Sequence, residues 1–464
     1  MNILHIAENY TSGGFETHLR TLSQSLNKEH ESFFAFSNFE PVMKNPFSDK
    51  VATGFHFNLD VSIKDFISDV EELLSLINKN RIDIIHAHPF HSLIPSFFAA
   101  SISQKPLVIT FHGDSSFNFI WTPVQSILFY QCLDMGIGHV FAVNSNVLKY
   151  LNDNNFKSTS SLMLNPIEIE VNIAQKERNN TSNDLAIVSR LDDDRSEGIS
   201  KLLKKLPYLN FKNIYIFGTG SEEKELMRLT KELEIDDRVF FQGHKEDWLD
   251  FAKEKCLAVA GLGRVALEAV CHNIPVILIG KTSSPVGLIN EDLFQSLSEN
   301  NFIGDSLYLN INNADINHLI ERLHDPSFIP IQNSNIFSDF DANNVCSAYI
   351  KTLQSQQSRE ITELMCIYND LKTIEDQNLP FYYTNETFHL LRKYLERVTL
   401  NPLIKSYYIL SNYFRKEIDI ITSYHYSVLR SELKQVNNKL ELLQKKQENI
   451  FSKILRKLGL KSTK

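Results

Sequence analysis

Arg264 and Glu268 stand four residues apart, directly behind the loop Gly261-Leu262-Gly263. On a helix that spacing puts both side chains on one face, one turn apart. The two glycines let the backbone turn and come close to a ligand. Before them runs the apolar stretch Leu257 to Ala260, and after them Asn273 and Pro275 break the helix ahead of a second buried-type strand, Pro275 to Ile279. A glycine loop that opens a helix presents free N–H groups and the positive end of the helix dipole, which suits an anion. Arg264 can fork onto a phosphate. Glu268, one turn behind, can accept hydrogen bonds from sugar hydroxyls. The stretch therefore fits a nucleotide-diphosphate pocket. It equally fits a Gly-capped α/β unit with a surface Arg–Glu pair.

Further chemistry-bearing residues collect where strands should end. In the first half these ends are Gly13 to Glu16, His86 to His88, and His112-Gly113-Asp114. In an open parallel sheet the carboxyl edge is where ligands bind. Gly13-Gly14 lacks the GxGxxG spacing, so the dinucleotide fingerprint is absent. The histidine-rich strand ends could converge on a metal, but nothing in the spacing forces them to, and no metal is expected. In the second half, Ser189-Arg190-Leu191 ends a strand, and an acidic loop, Asp192 to Asp194, precedes Arg195. Phe217-Gly218-Thr219-Gly220 leads to Ser221, which reads as a helix N-cap, and Gln242-Gly243-His244 closes a short strand.

Alternating strands and helices must position these groups. Over 464 residues they make two doubly wound α/β domains, because one core does not serve such a length. Residues 1–170 form the first domain, 171–184 a polar linker, and 185–336 the second domain. Crossover helices over 337–370 return to the first domain, and 371–464 is a helical extension. Within it, Leu429, Leu433, Val436, Leu440 and Leu443 trace a short heptad seam, which suits a helix packed on the body as well as a coiled-coil homodimer. Past Leu442 the segment turns basic and amphipathic, through Lys445, Lys446, Lys453, Arg456 and Lys457. That composition fits an anionic membrane surface, and it also fits a solvated tail. The net charge of −9 argues against general nucleic-acid binding. Five scattered cysteines, with no CxxC or zinc spacing, suggest reduced cytosolic thiols. No run of about 18 apolar residues predicts a membrane-spanning helix, and the apolar start at Ile3 reads as a strand rather than a signal peptide.

In order and spacing, Gly13-Gly14-Phe15-Glu16, His112-Gly113-Asp114, Ser189-Arg190-Leu191 with Arg195, Phe217-Gly218-Thr219-Gly220, Phe241-Gln242-Gly243-His244 and Gly261-Leu262-Gly263 running into Ala266-Leu267-Glu268 resemble a GT-B fold glycosyltransferase of the retaining family-4 type (glycosyl transferases group 1). The resemblance covers roughly residues 1–350. It implies two Rossmann-like domains facing a cleft, and a metal-independent transfer of sugar from a nucleotide-diphosphate donor to a glycan or lipid-linked glycan acceptor, in cell-surface polysaccharide synthesis. Arg190 and Arg195 would neutralise the diphosphate in place of a divalent cation. His112 would lie at the reacting sugar. Gly13, Gly14, Gly243, His244, Gly263, Arg264 and Glu268 would hold the donor, and Glu16 and His88 would face the acceptor. The implied location is cytoplasmic, with the basic tail able to sit on the inner membrane face. The sequence departs from the pattern twice. Ala260 stands where the family's first glutamate contacts the donor sugar, and Arg195 stands where a lysine is usual. The missing glutamate keeps two other readings open: a non-catalytic nucleotide-sugar or glycan-binding scaffold, and a GT-B nucleotide-sugar epimerase.

Overall fold

The computed structural model describes residues 1–396 except 12, 27–28, 42–45, 48–49, 114–115, 117–121, 170–181, 281–286, 300, 304–322, 324–330 and 332–333. The heptad seam, the basic tail and most of the expected linker lie outside the described residues.

The first domain opens with β1 (Asn2–Tyr10), α1 (Gly14–Gln24), β2 (Glu31–Phe39), β3 (Val51–Thr53), α2 (Ile63–Lys79), β4 (Ile84–Ala87) and α3 (Leu93–Ser103). It continues through β5 (Leu107–Phe111), α4 (Pro123–Asp134), β6 (His139–Ala142), α5 (Ser145–Asp153) and β7 (Thr159–Leu162). Its strands pair in the order β3-β2-β1-β4-β5-β6-β7, all parallel. The order reverses between β1 and β4, so a crevice opens at their carboxyl ends. β4 and β5 are buried on both faces, as a parallel sheet covered by helices requires.

The second domain comprises β8 (Leu185–Val188), α6 (Asp193–Leu203), β9 (Ile214–Phe217), α7 (Glu223–Glu232), β10 (Val239–Gly243), α8 (Trp248–Lys255), β11 (Ala258–Gly261), α9 (Arg264–Cys271), β12 (Val276–Leu278), β13 (Gly287–Leu288) and α10 (Glu291–Ser298). Its order is β10-β9-β8-β11-β12-β13, parallel except for the antiparallel edge strand β13. Here the order reverses between β8 and β11. The two doubly wound domains expected from the sequence are both present.

The chain then crosses back. Ile167 forms a bridge with Asp341, and its N–H and C=O bond Phe340 and Ala342 at 2.7 and 2.9 Å. Outgoing and returning strands thus run side by side at the domain junction. α11 (Ala342–Gln354) lays Val345, Tyr349 and Leu353 on one face of the first sheet, against Ile3, Ile84, Val108 and Phe141. α12 (Thr362–Leu371) and α13 (Asn385–Tyr394) join the core on the opposite face, α12 packing on α2 and α3, and α13 on α12 and α4. Phe381 stacks on Phe66 at 3.8 Å between ring centroids.

Three local features differ from the sequence-based expectations. α4 was not anticipated, although Thr122-Pro123-Val124-Gln125 builds a complete capping box with proline at the first helical position. β7 is Thr-Ser-Ser-Leu, a partly exposed edge strand whose outer position removes the need for an apolar run. Ser221 does not cap α7: Glu222 occupies that position and makes no side-chain cap bond.

Gly218 shows why glycine is required behind β9. Its φ is +137°, and a Cβ there would lie 1.8 Å from the Ser189 carbonyl oxygen. The loops after β8 and β9 meet with no room for a side chain. At Gly54, φ is +94° but nothing lies within 4 Å of an added Cβ. Gly218→Ala should therefore lower the unfolding free energy by more than Gly54→Ala, whose cost is the dihedral strain alone, about 1–3 kcal/mol. Denaturant titration of both variants checks this, and equal losses would contradict the steric account.

Candidate active site

The two reversal points carry the chemistry. At the first, β1 runs through Glu8 to Tyr10, and the loop behind it opens α1. Gly13 is the N-cap of that helix with φ +156°, and its carbonyl accepts from Thr17 N at 3.1 Å. Glu16 turns back rather than outward: its Oε1 accepts from Thr11 N at 3.1 Å and from Thr11 Oγ1 at 3.3 Å. Phe15 lays its ring against His88 and His112, each at 5.2 Å.

His88 and His112 are joined directly, with His88 Nδ1 and His112 Nε2 3.0 Å apart. His88 is fully buried behind His112. His18, on α1, stands edge-on to His112 at 5.0 Å, and its Nδ1 meets Asn165 Oδ1 at 2.9 Å. Burial holds His86, His88 and His112 well below the ordinary histidine range, and neighbouring imidazoles push the same way. All three are neutral at physiological pH. A neutral ring at His112 carries one donor and one acceptor nitrogen, and its Nε2 is already engaged by His88.

At the second reversal point the basic groups sit in two sets. Arg190 Nη1 donates to Asp192 at 3.1 Å, and its Nη2 donates to Asp194 at 3.2 Å. Arg195 Nε pairs with the same Asp194 at 3.3 Å. The acidic stretch expected as a loop is the start of α6, and its N-cap Asp192 and first-turn Asp194 hold the arginines at the mouth of β8, with Arg190 half exposed. The other set lies behind β11. Gly263, φ +60°, caps α9, and the Arg264 side chain folds down along that helix. Arg264 Nε donates to Glu268 Oε1 at 2.7 Å, while its Nη2 donates to Thr21 Oγ1 at 3.2 Å and to the Pro166 carbonyl at 2.8 Å. The Arg264 side chain is 9% exposed, and its Nη1 is buried without a protein acceptor. Gly243, φ +66°, has open space beside it, and His244 is exposed.

Ala260 lies in β11, fully buried against Leu185, Ile187 and Ile277. At this position the chain presents a core methyl group where the resembled family has a carboxylate.

The cleft brings the two sets of groups together across the domains. A Cβ on Gly14 would lie 3.9 Å from Arg264 Cβ. Arg20 of α1 pairs with Glu246 at 2.8 Å, and Asn165 Nδ2 donates to Asn301 Oδ1 at 2.7 Å.

One group that the sequence reading passed over is Glu8. It lies near the carboxyl end of β1 at the reversal point, and burial raises its carboxyl above the usual range despite bonds from the Phe90 and His91 N–H groups. His91 Nδ1 meets Gln125 Nε2 at 2.7 Å, so a polar path continues behind it. The available signal was a lone charge near the end of β1.

Two open parallel sheets that turn their carboxyl edges to one cleft, with a glycine loop and a helix N-terminus on the anion side, define the GT-B architecture. Two family models match in tandem. Glycosyltransferase Family 4 matches residues 12–170, and Glycosyl transferases group 1 matches residues 168–301. The chain belongs to these GT-B glycosyltransferases. Among solved structures, Anabaena Alr3699/HepE in complex with UDP is 18% identical, with a TM-score of 0.56, over 76% of this chain and 100% of that one. Sucrose-phosphate synthase from Thermosynechococcus elongatus is 15% identical, with a TM-score of 0.53, over 76% and 98%. Both likenesses concern the fold. None of the curated proteins matches the sequence. No helix among the described residues is long and apolar enough to cross a membrane.

The buried histidines make stability depend on pH. Burial lowers His18 and His139 from 6.5 to about 4 each. A depressed folded-state value means the stabilisation is present above 6.5 and is lost as pH falls towards 4, at about 1.4 kcal/mol per pH unit for each ring. The urea midpoint should fall clearly between pH 7 and pH 5. An unchanged midpoint would contradict the buried, neutral assignment.

Proposed function

We propose that this glycosyltransferase moves a sugar from a nucleotide-diphosphate donor to a glycan or lipid-linked glycan with retention, in cell-surface polysaccharide synthesis. The carrying observation is the meeting of Arg264 and the α9 N-terminus with Gly14 across the cleft. The diphosphate would lie at that N-terminus, where the free N–H groups and Arg264 Nη1 donate to it. Glu268, already bonded to Arg264 Nε at 2.7 Å, would accept from the ribose hydroxyls with its other oxygen. Arg190 and Arg195 would exchange Asp192 and Asp194 for phosphate oxygens. Two guanidinium groups there neutralise the charge that develops as the glycosidic bond breaks, so the leaving diphosphate needs no divalent cation. His112 would donate to a sugar hydroxyl. Glu16 and His88 act indirectly in this reading: Glu16 stiffens the loop that opens α1, and His88 holds His112. Glu8 takes the acceptor side. The likeness to Anabaena HepE, whose structures are complexes with UDP and UDP-glucose, supports a uridine diphosphate donor.

A non-catalytic nucleotide-sugar or glycan-binding scaffold is the second reading, favoured by Ala260. A donor panel read out by nucleotide release separates the two. Turnover that falls about 100-fold or more in Arg190→Ala and in Arg195→Ala supports transfer. Tight binding with no release in the presence of acceptors supports the scaffold. Product NMR then reads the anomeric configuration, and an inverted product would overturn retention. Glu268→Gln should raise the donor KM more than it lowers kcat, because ribose contacts are alike in ground and transition states.

A further inference from the structure

One face of the first sheet carries a row of imidazoles. Alternation along the strands places His5 on β1, His86 and His88 on and just past β4, and Thr110 on β5 on that face, under α1 and α11. His5, His86 and His88 are each 0% exposed. Their ring centroids are 5.0 Å apart for His5–His86, 4.2 Å for His86–His88 and 5.9 Å for His5–His88. One nitrogen from each ring lies within 4.8 Å of the other two.

Two of these nitrogens lack a partner. His5 Nδ1 and His88 Nε2 are buried with no hydrogen bond. Leaving a buried polar atom without a partner is unfavourable, so two in one cluster need a reason. The other nitrogen of each ring is held: His5 Nε2 lies 3.3 Å from Ser32 Oγ, and His88 Nδ1 lies 3.0 Å from His112 Nε2. His86 is held at both nitrogens, by Tyr349 Oη at 2.8 Å and Thr110 Oγ1 at 2.7 Å.

We propose that His5, His86 and His88 form a buried site for a zinc-class transition-metal ion behind His112. The set is all imidazole with no carboxylate, which selects Zn²⁺ or a neighbouring transition ion over Mg²⁺ or Ca²⁺. Ligation requires neutral rings, each with its lone pair towards the ion and its N–H towards an acceptor. The surroundings supply those acceptors: Ser32 Oγ for His5, His112 Nε2 for His88, and one of the two hydroxyls for His86. The ion takes His86 by displacing its other hydroxyl bond. Tetrahedral bonds of about 2.1 Å put ligand nitrogens about 3.4 Å apart, so the rings close by at most about 1.4 Å from their 4.8 Å limit. Water or hydroxide is the natural fourth ligand.

The site would act on the cleft through one bond. With His88 Nε2 on the ion, its Nδ1 must carry the proton and donate to His112 Nε2. His112 then carries its own proton on Nδ1. The site is separate from the diphosphate chemistry and does not depend on the identity of the sugar substrates.

The test uses the full chain without a polyhistidine tag, purified from cells grown with Zn²⁺ and, separately, with Co²⁺ in place of zinc. Elemental analysis should find about one metal ion per chain, and the Co²⁺ form should show the visible bands of a four-coordinate site. X-ray absorption should give a nitrogen shell with imidazole scattering. His5→Gln and His88→Gln should each lower the metal content at least about tenfold, while His139→Gln, bonded instead to Thr159 and Ser161, should retain it. Less than about a tenth of an equivalent in the wild-type chain overturns the site. So does a sulfur shell, or metal content undiminished in both variants. Should the variants fail to fold, the wild-type metal content and absorption spectrum decide alone.

Discussion

A single guanidinium holds the two halves of this molecule in register. Arg264 starts on a helix of the second domain, bonds Glu268 on that helix, then reaches Thr21 of α1 and the Pro166 carbonyl of the connecting strand. With the side chain almost fully buried, these partners offset a desolvation cost that no exposed ion pair meets. The position of the cleft follows from it. Gly14, at the start of α1, lies beside Arg264 across the seam, where an added Cβ would come to 3.9 Å from Arg264 Cβ. The Arg20–Glu246 and Asn165–Asn301 contacts close the same seam from other directions. In the proposed function an anionic donor would meet this same residue, which would couple ligand binding to closure through one side chain.

The histidines of the first sheet belong to a different order of constraint. A row of polar rings on a buried sheet face lowers hydrophobic stabilisation, and it is tolerated only where each ring is neutral and partnered. α11 exists partly to meet that need: Tyr349 brings its hydroxyl to His86 from a helix that arrives only after the whole second domain. His112, at the mouth of the row, inherits its orientation from residues that never meet solvent.

Much of this was legible in the sequence because period and punctuation act locally. The strand ends at His86–His88, His112 and Arg190, and the glycine loop before Arg264, announced two doubly wound domains with polar carboxyl edges. What escaped depends on tertiary contact. That Arg264 would spend its donors across the domain junction, or that Asp192 and Asp194 would hold Arg190 and Arg195, lies in no local spacing. The resemblance implies that His88 faces the acceptor, whereas in the structure Phe15 and His112 roof it over and leave it buried. β7 escaped because an edge strand need not be apolar, and α4 because its capping box lies in an aromatic stretch with no clear period.

The return of the chain across the junction also fixes a schedule. Residues 185–301 include every strand of the second domain in one continuous run, whereas the first domain is completed by α11, α12 and α13 at 342–394. On the ribosome the first domain emerges first but cannot finish first. Its histidine-bearing face and the hydrophobic surface beneath α12 stay uncovered while the whole second domain is synthesised. Domains usually fold in the order of their synthesis; here the later one is self-sufficient and the earlier one waits. A truncated product ending after Phe340, the last residue to join the second-domain core, would thus combine a finished second domain with a first domain lacking α11, α12 and α13, a species suited to chaperone capture rather than activity.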